Sequence, residues 1–540
     1  MDIAAINVPA SSDKRRWWLL AVLLIVVASF LLLTSPEQWR NDGWFRDGGL
    51  TLDTADQLLH GKKLFSEAYY QYGPAAIEIY VLWCRAFGNS VASCQALIFV
   101  VALLNCYLIF KALVSTGLSK ATILVTYLAI IPYFAPLDPY VNSFYNLFEK
   151  TLILTTVLVW RPLDQRSARR SLLLGVVIGL MQWVRFGSAA GVLAAVFLLD
   201  LILEKRLSRP LIATTLSYLA GFFLVEGALA ARLFLTLPAD VALDALWPQF
   251  MAGSYSIYQA MGNAFPRFTT LNFFIGGQLI IVVCFALALA ALYLMAARRL
   301  PKARAPLLLP LLAFVVYCLI YYKQTWHYYI GSWLLVLPAA AAIDQFSLRR
   351  KAIVAILLLP SFLLALKADL LRSHIQGLNA TLLPNGEKLW LAPEVVRENQ
   401  SLLSHLATLP NRPPQVGVLL LSRTPVLEAS HLYFFYQIPQ PARYSMLFPG
   451  WLRQRDFESL GSTLDHSKAV VLFQDQTQGV PPKNACQWES HPYPHPSCEE
   501  LSARLGDPVK VDDACWIFPV KPAVAALAAH VASGRWATIR

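Results

Sequence analysis

Charge is what this sequence has least of. Asp, Glu, Lys and Arg make 14% of its 540 residues, hydrophobic types make 57%, and the mean hydropathy is +0.50. Soluble domains carry about a quarter charged residues, so a string of them is excluded and the composition is that of a polytopic membrane protein. The net charge of +12 does not read as a nucleic-acid footprint. Lys and Arg concentrate in short loops between apolar runs, where membrane topology accounts for them. Such loops imply anionic lipid as a partner. No internal repeat is present, and the polar C-terminal stretch has neither a Gly-rich phosphate loop nor a paired-cysteine metal box. Nothing in that stretch points to catalysis by itself.

Cysteine is also sparse. Of eight, Cys84, Cys94, Cys106, Cys284 and Cys318 lie in apolar segments and read as small hydrophobes, and Cys486, Cys498 and Cys515 lie in the tail. Cys486 and Cys498 close a short Pro- and His-rich loop that suits a disulfide outside the cytoplasm, with the odd Cys515 leaving the pairing open. A zinc site from Cys486, His491, His495 and Cys498 is the alternative, although its spacing fits no standard finger.

What the chain has in abundance is apolar runs. The first, 17–34, follows Lys14, Arg15 and Arg16. It is long and lacks a clean cleavage site, so it reads as an uncleaved helix with a cytoplasmic N-terminus. Further spans are expected at 91–113, 121–137, 148–161, 171–185, 187–203, 211–236, 272–296, 305–322, 328–345 and 352–369, eleven in all. An odd number puts the tail outside. The basic loops 161–170, 204–209, 298–304 and 348–351 then all fall on the cytoplasmic side, provided that 74–87 is a juxtamembrane helix rather than a span. The division is a membrane domain over 1–370, with a first outer loop at 35–90, and an extracytoplasmic domain over 371–540. In that domain VGVLLL (416–421), HLYFFY (431–436) and AVVLFQ (469–474) read as strands and 457–464 as helix, a small α/β unit.

The segment 44–74, WFRDGGLTLDTADQLLHGKKLFSEAYYQYGP, is the exception to the scarcity of charge. It packs Asp47, Asp53, Asp56, His60, Lys62, Lys63 and Glu67 among aromatics beside a bilayer, which reads either as a working site or as a solvated loop with an amphipathic helix. The expected topology gathers other ionisable groups on the same face. These are Asp138 in 136–150, Arg185 in the turn of an apolar hairpin, Asp244 and Arg267 in the loop 237–271, and Lys323 and His327 in YYKQTWHYY. Ionisable groups near a membrane are costly unless they are paired or line a cavity. Arg185 is the hardest to explain as loop polarity, since no other charge is near it in sequence. Trp247, Tyr255 and Tyr258 read as interfacial belt residues.

Asp47, then Ala55, Leu58, Leu59, Gly61, Lys62, Leu64 and Phe65, then Tyr72, Gly73 and Pro74, resemble the integral-membrane glycosyltransferases of the C superfamily. Protein O-mannosyltransferases and aminoarabinose transferases belong to it. The resemblance is specific over about the first 200 residues and architectural beyond. It implies a polyprenyl-phosphate sugar donor and an active site at the outer face of a bacterial cytoplasmic membrane. The C-terminal domain is then periplasmic or extracellular. It also implies Asp47 as the base or as the residue that orients the acceptor, Asp138 as a second acidic residue and Arg185 facing the donor phosphate. Two departures stand out: Gly48 follows Asp47 where many members have a second acid, and Tyr72-Gly73-Pro74-Ala75 replaces a Lys-Pro-Pro-Leu. No cofactor is certain, and a divalent ion, magnesium or manganese, on Asp47 and Asp138 stays open.

The chemistry agrees with the residue types. Sugar transfer from a lipid phosphate needs a carboxylate to take the acceptor's hydroxyl proton and cations to stabilise charge on the leaving phosphate. Asp47 supplies the first, and Arg185, Lys323 and His327 the second, arginine being suited to bidentate phosphate contact. A leaving phosphate needs no protein acid, so the two-carboxylate pairing of glycoside hydrolases is not required. Asp53 reads as a helix-face residue. With Asp138 and Tyr72 it completes the acceptor-side candidates. The acceptor is a lipid, a glycan or a protein. The competing class is a transporter or flippase of lipid-linked sugars, which predicts halves of related hydropathy that are not seen. A lipid-diphosphate polymerase or ligase predicts its chemistry in a large later outer loop, and a sensory or structural membrane protein is the remaining class.

Overall fold

In the computed structural model the described residues are 40, 42–45, 47–70, 72–134, 144–185, 188–246, 278–321, 332–357, 377–409, 417–422, 431–443, 460–473, 504–511 and 515–521. The first apolar run, Asp138, Lys323, His327, Cys486 and Cys498 lie outside them. Up to residue 357 the described chain is helical apart from turns and one isolated bridge at Leu64 and Ala68, and small sheets appear after it.

The first outer segment gives α1 (Asp47–Leu59) and α2 (Pro74–Phe87). Pro74 opens α2 where its missing N–H costs nothing, and Gly88, at φ +79°, ends it in a conformation other residues avoid. Helix α1 is not a solvated surface helix. Leu50, Leu52, Asp53, Thr54, Ala55 and Gln57 are buried, and only the Asp56 and His60 end of α1 opens outward.

The apolar helices follow as α3 (Val91–Ser115), α4 (Lys120–Phe134), α5 (Phe144–Val159), α6 (Ala168–Val184), α7 (Ser188–Glu204), α8 (Arg209–Thr236), α9 (Ala239–Leu246), α10 (Gln278–Ala296), α11 (Leu309–Tyr321) and α12 (Val336–Ile343). Serine caps start three of them. Ser90, Ser167 and Ser208 accept from the backbone N–H three residues on, at 3.0, 3.3 and 3.4 Å. Among the described residues, α3 and α8 are long and apolar enough to cross a membrane. Along α8, Leu216, Phe223, Leu224 and Leu235 are all exposed.

Helices α6 and α8 pack in parallel at backbone contact. A Cβ on Gly175 would lie 1.8 Å from the Tyr218 carbonyl oxygen, and one on Gly221 would lie 2.1 Å from that of Leu172. Small residues at such crossings let helices approach where no hydrophobic drive brings them together. One end of the bundle is tied by Asp344, which accepts from Ser119 and Thr122, pairs with Arg304 at 2.6 Å and meets Lys351 at 3.2 Å. Three connections, at about 119, 304 and 351, therefore meet at that end.

Past residue 377 a hairpin of β1 (Asn379–Leu382) and β2 (Lys388–Leu391) precedes α13 (Pro393–Thr408). A four-stranded sheet of order β3 (Gly417–Ser422), β4 (Ser467–Phe473), β6 (Cys515–Pro519) and β5 (Val509–Lys510) follows, parallel between β3 and β4 and antiparallel elsewhere. Alternation splits its residues. Val418, Leu420, Val471 and Ile517 pack on Leu402, Leu406 and Tyr433. Leu419, Val470 and Phe518 pack on Phe65, Tyr69, Leu229 and Val241, which belong to the loop after α1 and to α8 and α9.

The segment 431–436, read above as a strand, is a helix, α14 (His431–Tyr436). A six-residue apolar run does not decide between the two by pattern. Here tertiary contact decides, for His431, Phe435 and Tyr436 surround the Phe45 ring while Tyr433 donates to the Val418 carbonyl at 2.8 Å. Contacts of that kind on several sides suit a helix rather than a two-faced strand. Cys515, left open in the pairing above, is buried in β6.

Candidate functional site

Arg185 ends α6 as its C-cap, its N–H donating to the Met181 carbonyl at 2.7 Å, and its side chain turns inward. The sequence shows no charge beside it, but the fold supplies one. Glu149 of α5 meets Arg185 Nη1 at 3.4 Å and is itself fully buried. Asn146 also accepts from Nη1, and Ser188, at the start of α7, donates a short hydrogen bond to the other Glu149 oxygen. Asn146, Glu149 and Lys150 stand three and four residues apart, which sets them on one face of α5. That face is anchored from α3, since Asn105 donates to the Leu147 carbonyl at 3.0 Å and accepts from Thr151 at 2.8 Å.

Above the guanidinium lie two tyrosines. The rings of Tyr72 and Tyr145 stack at 3.7 Å and 23°, and Tyr145 donates to the Tyr72 hydroxyl at 2.8 Å. Arg185 Cζ is 5.4 Å from one ring centre and 5.9 Å from the other, within cation–π range. The Tyr72-Gly73-Pro74 turn is fixed to the end of α6, for Gly73 N–H donates to the Val184 carbonyl at 3.0 Å. A Cβ on Gly73 would fall 2.1 Å from the Trp183 carbonyl oxygen, so no other residue fits there without displacing backbone.

Of the residues singled out in the sequence, Arg185 and Tyr72 are thus brought together. Asp53 belongs to a different group. It accepts from Gln57 at 2.9 Å, and Gln57 also donates to Gln440 of the C-terminal region at 2.7 Å and accepts from Lys62 at 3.1 Å. Burial, above all, raises the Asp53 carboxyl from the usual 3.8 to about 8; the Gln57 hydrogen bond lowers it, Asp56 raises it and Lys62 lowers it. Burial thus favours the protonated, hydrogen-bonding form of Asp53 over a ready base. The backbone of Asp47 opens α1, but its side chain, like those of Asp138, Lys323 and His327, lies outside the described residues. Among the described residues no group of three His, Cys, Asp or Glu side chains is placed to hold a metal ion.

The C-terminal region completes the surroundings of α1. His431 stacks on Phe45 at 4.4 Å, and its backbone lies so close to Gly49 that a Cβ there would stand 3.2 Å from it. The Tyr69 N–H donates to the Arg443 carbonyl, and Arg443 Nη1 donates to the Phe65 carbonyl at 2.6 Å. Glu387 accepts from the N–H of Val91 at 2.9 Å, a carboxylate at the start of α3 where the helix dipole favours it.

No family model matches the chain, and no curated protein matches it. A solved structure similar to it is that of ArnT from Cupriavidus metallidurans bound to undecaprenyl phosphate. The identity is 12%, the match covers 94% of this chain and 98% of that one, and the TM-score is 0.48. Its apo state matches with 12% identity, the same coverage and a TM-score of 0.47.

Sequence reasoning missed Tyr145, Asn146, Glu149 and Ser188. The signal for Glu149 is an acid at the start of an apolar run, which in a membrane protein needs a partner; Arg185 needed one too.

Proposed function

We propose that this chain is an integral-membrane glycosyltransferase of the C superfamily type, moving a sugar from a polyprenyl-phosphate donor to a lipid, glycan or protein acceptor. The observation that carries the reading is the seat of Tyr72-Gly73-Pro74, the turn that closes the resembling segment, against the buried Arg185. A glycine that tolerates no side chain and a tyrosine over a guanidinium are what that turn contributes to a cationic site. The exposed apolar faces of α8 and the overall composition support placement of the helices in a bilayer, with about eleven spans and an outer C-terminal domain.

In this reading the acceptor oxygen attacks the anomeric carbon as Asp47 takes its proton. The bond from that carbon to the phosphate oxygen breaks, and the electron pair leaves with the lipid phosphate. Arg185, with Lys323 and His327, stabilises the charge that forms there, and direct displacement inverts the anomeric centre. A guanidinium serves this purpose best where water is scarce, because its interaction with phosphate grows as the effective dielectric falls.

The test is consumption of endogenous polyprenyl-phosphate sugars in membranes carrying wild type, Asp47→Asn or Arg185→Ala. Loss of consumption in both variants, with protein still inserted, is expected, and the donor spared identifies the sugar. Equal consumption by wild type and Asp47→Asn would remove that residue as the base. Should wild type consume no donor, the transferase reading fails.

A further inference from the structure

Arg185 is not a bare cation, and its counter-charge is unusual for a site meant to hold an anion. Glu149 stands on Nη1, is fixed by Ser188 on its other oxygen, and is completely buried with Lys150 beside it in sequence and also buried. A phosphate that contacts the guanidinium approaches within about one guanidinium width of this carboxylate. On affinity alone the acid is a fault, since it opposes the anion that the cation attracts.

Its value emerges from the two states of the lipid carrier, an argument that rests on the transferase reading above. The donor is a phosphodiester with one negative charge. The spent carrier is a phosphomonoester, which bears close to two at neutral pH, its second ionisation lying near 6. A purely cationic site binds the product more tightly than the donor and is slow to release it. A fixed negative charge beside that site repels the product about twice as strongly as the donor. At an effective dielectric of about 20 and a separation on the order of 7 Å, each unit of such repulsion is worth more than tenfold in affinity.

We propose that Glu149 is a positioning and charge-balancing residue that lowers the preference of the Arg185 site for the spent lipid phosphate over the donor. It holds Nη1 in place together with Asn146 and discounts the second negative charge of the product, so that the carrier leaves after transfer.

The experiment measures binding of two probes to detergent-solubilised full-length protein: undecaprenyl phosphate, a monoester, and its methyl ester, a diester with one charge. Wild type is compared with Glu149→Gln, which keeps the shape and can still accept from Arg185 while its amide donates to the Ser188 hydroxyl, with Glu149→Asp, which keeps the charge, and with Arg185→Ala. Glu149→Gln is expected to tighten the monoester about tenfold or more beyond the diester and to lower kcat through slow release. Glu149→Asp should keep the wild-type ratio of the two affinities, and Arg185→Ala should weaken both probes. If Glu149→Gln leaves the ratio unchanged or weakens both probes while Arg185→Ala also weakens both, the charge-balancing role is wrong and the phosphate site stands. If Arg185→Ala binds both probes as wild type does, the phosphate reading itself is wrong and this inference falls with it.

Discussion

A buried arginine–carboxylate pair lies near each end of α6, one reaching to α7 and the other to α5, and the two pairs are built differently. At one end Arg166, just before α6, gives Asp200 of α7 two parallel bonds of 2.7 Å; its Nε and Nη2 reach the Arg161 carbonyl, and Trp160 donates to the same carboxylate at 3.1 Å. Trp160 also lies 5.0 Å from its guanidinium. Such a fork-to-fork arrangement engages all three guanidinium nitrogens. At the other end Arg185 Nη1 meets Glu149 at 3.4 Å and also reaches Asn146, and the guanidinium faces two stacked tyrosine rings. The first pair closes a structure through two bonds to one carboxylate, whereas in the second one guanidinium nitrogen serves both Glu149 and Asn146 beside the stacked rings.

The two ends should therefore answer mutation in different currencies. Arg185→Ala is expected to lower sugar transfer per folded protein by about a hundredfold to a thousandfold, the range for losing one donor to a developing oxyanion, and it also leaves Glu149 buried without its cation. Asp200→Ala leaves Arg166 buried without its carboxylate and should cost about 3–5 kcal/mol of stability, with transfer falling only as folded protein is lost. Replacing both partners, Arg166→Met with Asp200→Leu, should recover most of that stability, because a buried pair exchanged for apolar groups of similar volume is often neutral. If Arg185→Ala behaves as Asp200→Ala does, the contrast between the ends is only one of geometry.

The helices were legible because runs of apolar residues leave few alternatives, and expected starts at 91, 171 and 211 fall within three residues of Val91, Ala168 and Arg209. Arg185 was legible as an anomaly, but its explanation was not. Glu149 sits 36 residues before it, at the edge of a run that pattern alone assigns to a span, and nothing in the spacing pairs them. The packing of the C-terminal region on α1 was illegible for the same reason: Gln57 and Gln440 are 383 residues apart. Short segments such as 431–436 are decided by what surrounds them, and a sequence does not show its surroundings.

A third carboxylate sharpens the comparison, since Asp53 has no ion pair among the contacts described and is held by Gln57 alone. Its burial raises the folded value to about 8 against the usual 3.8, so the folded state keeps a proton that the unfolded chain releases. Stability should therefore fall as pH rises from about 4 to about 8 and level off above. Asp53→Asn, which still accepts from Gln57, removes that titration. The variant should match wild type near pH 4 and exceed it by a few kcal/mol at pH 9 in chemical unfolding. Parallel stability curves for the two proteins across that range would show that Asp53 ionises freely in the fold.

The smallest expected effect discriminates most finely between the ends. Tyr145→Phe keeps the ring stacked on Tyr72 and removes the 2.8 Å hydroxyl bond, a neutral interaction worth about 1 kcal/mol. If the tyrosine pair fixes the roof over Arg185, the loss appears as a several-fold rise in KM for the lipid donor with unfolding nearly unchanged, because the stacking that stabilises the fold remains. Trp160→Phe at the opposite end also removes a single donor, here to Asp200. It should lower stability by about 1–3 kcal/mol, because the acceptor it leaves is charged and buried, and KM should stay where it was. Two substitutions that each delete one hydrogen-bond donor beside a buried arginine then separate by readout rather than by size, and equal behaviour at the two ends would mean that neither arginine is poised for a ligand.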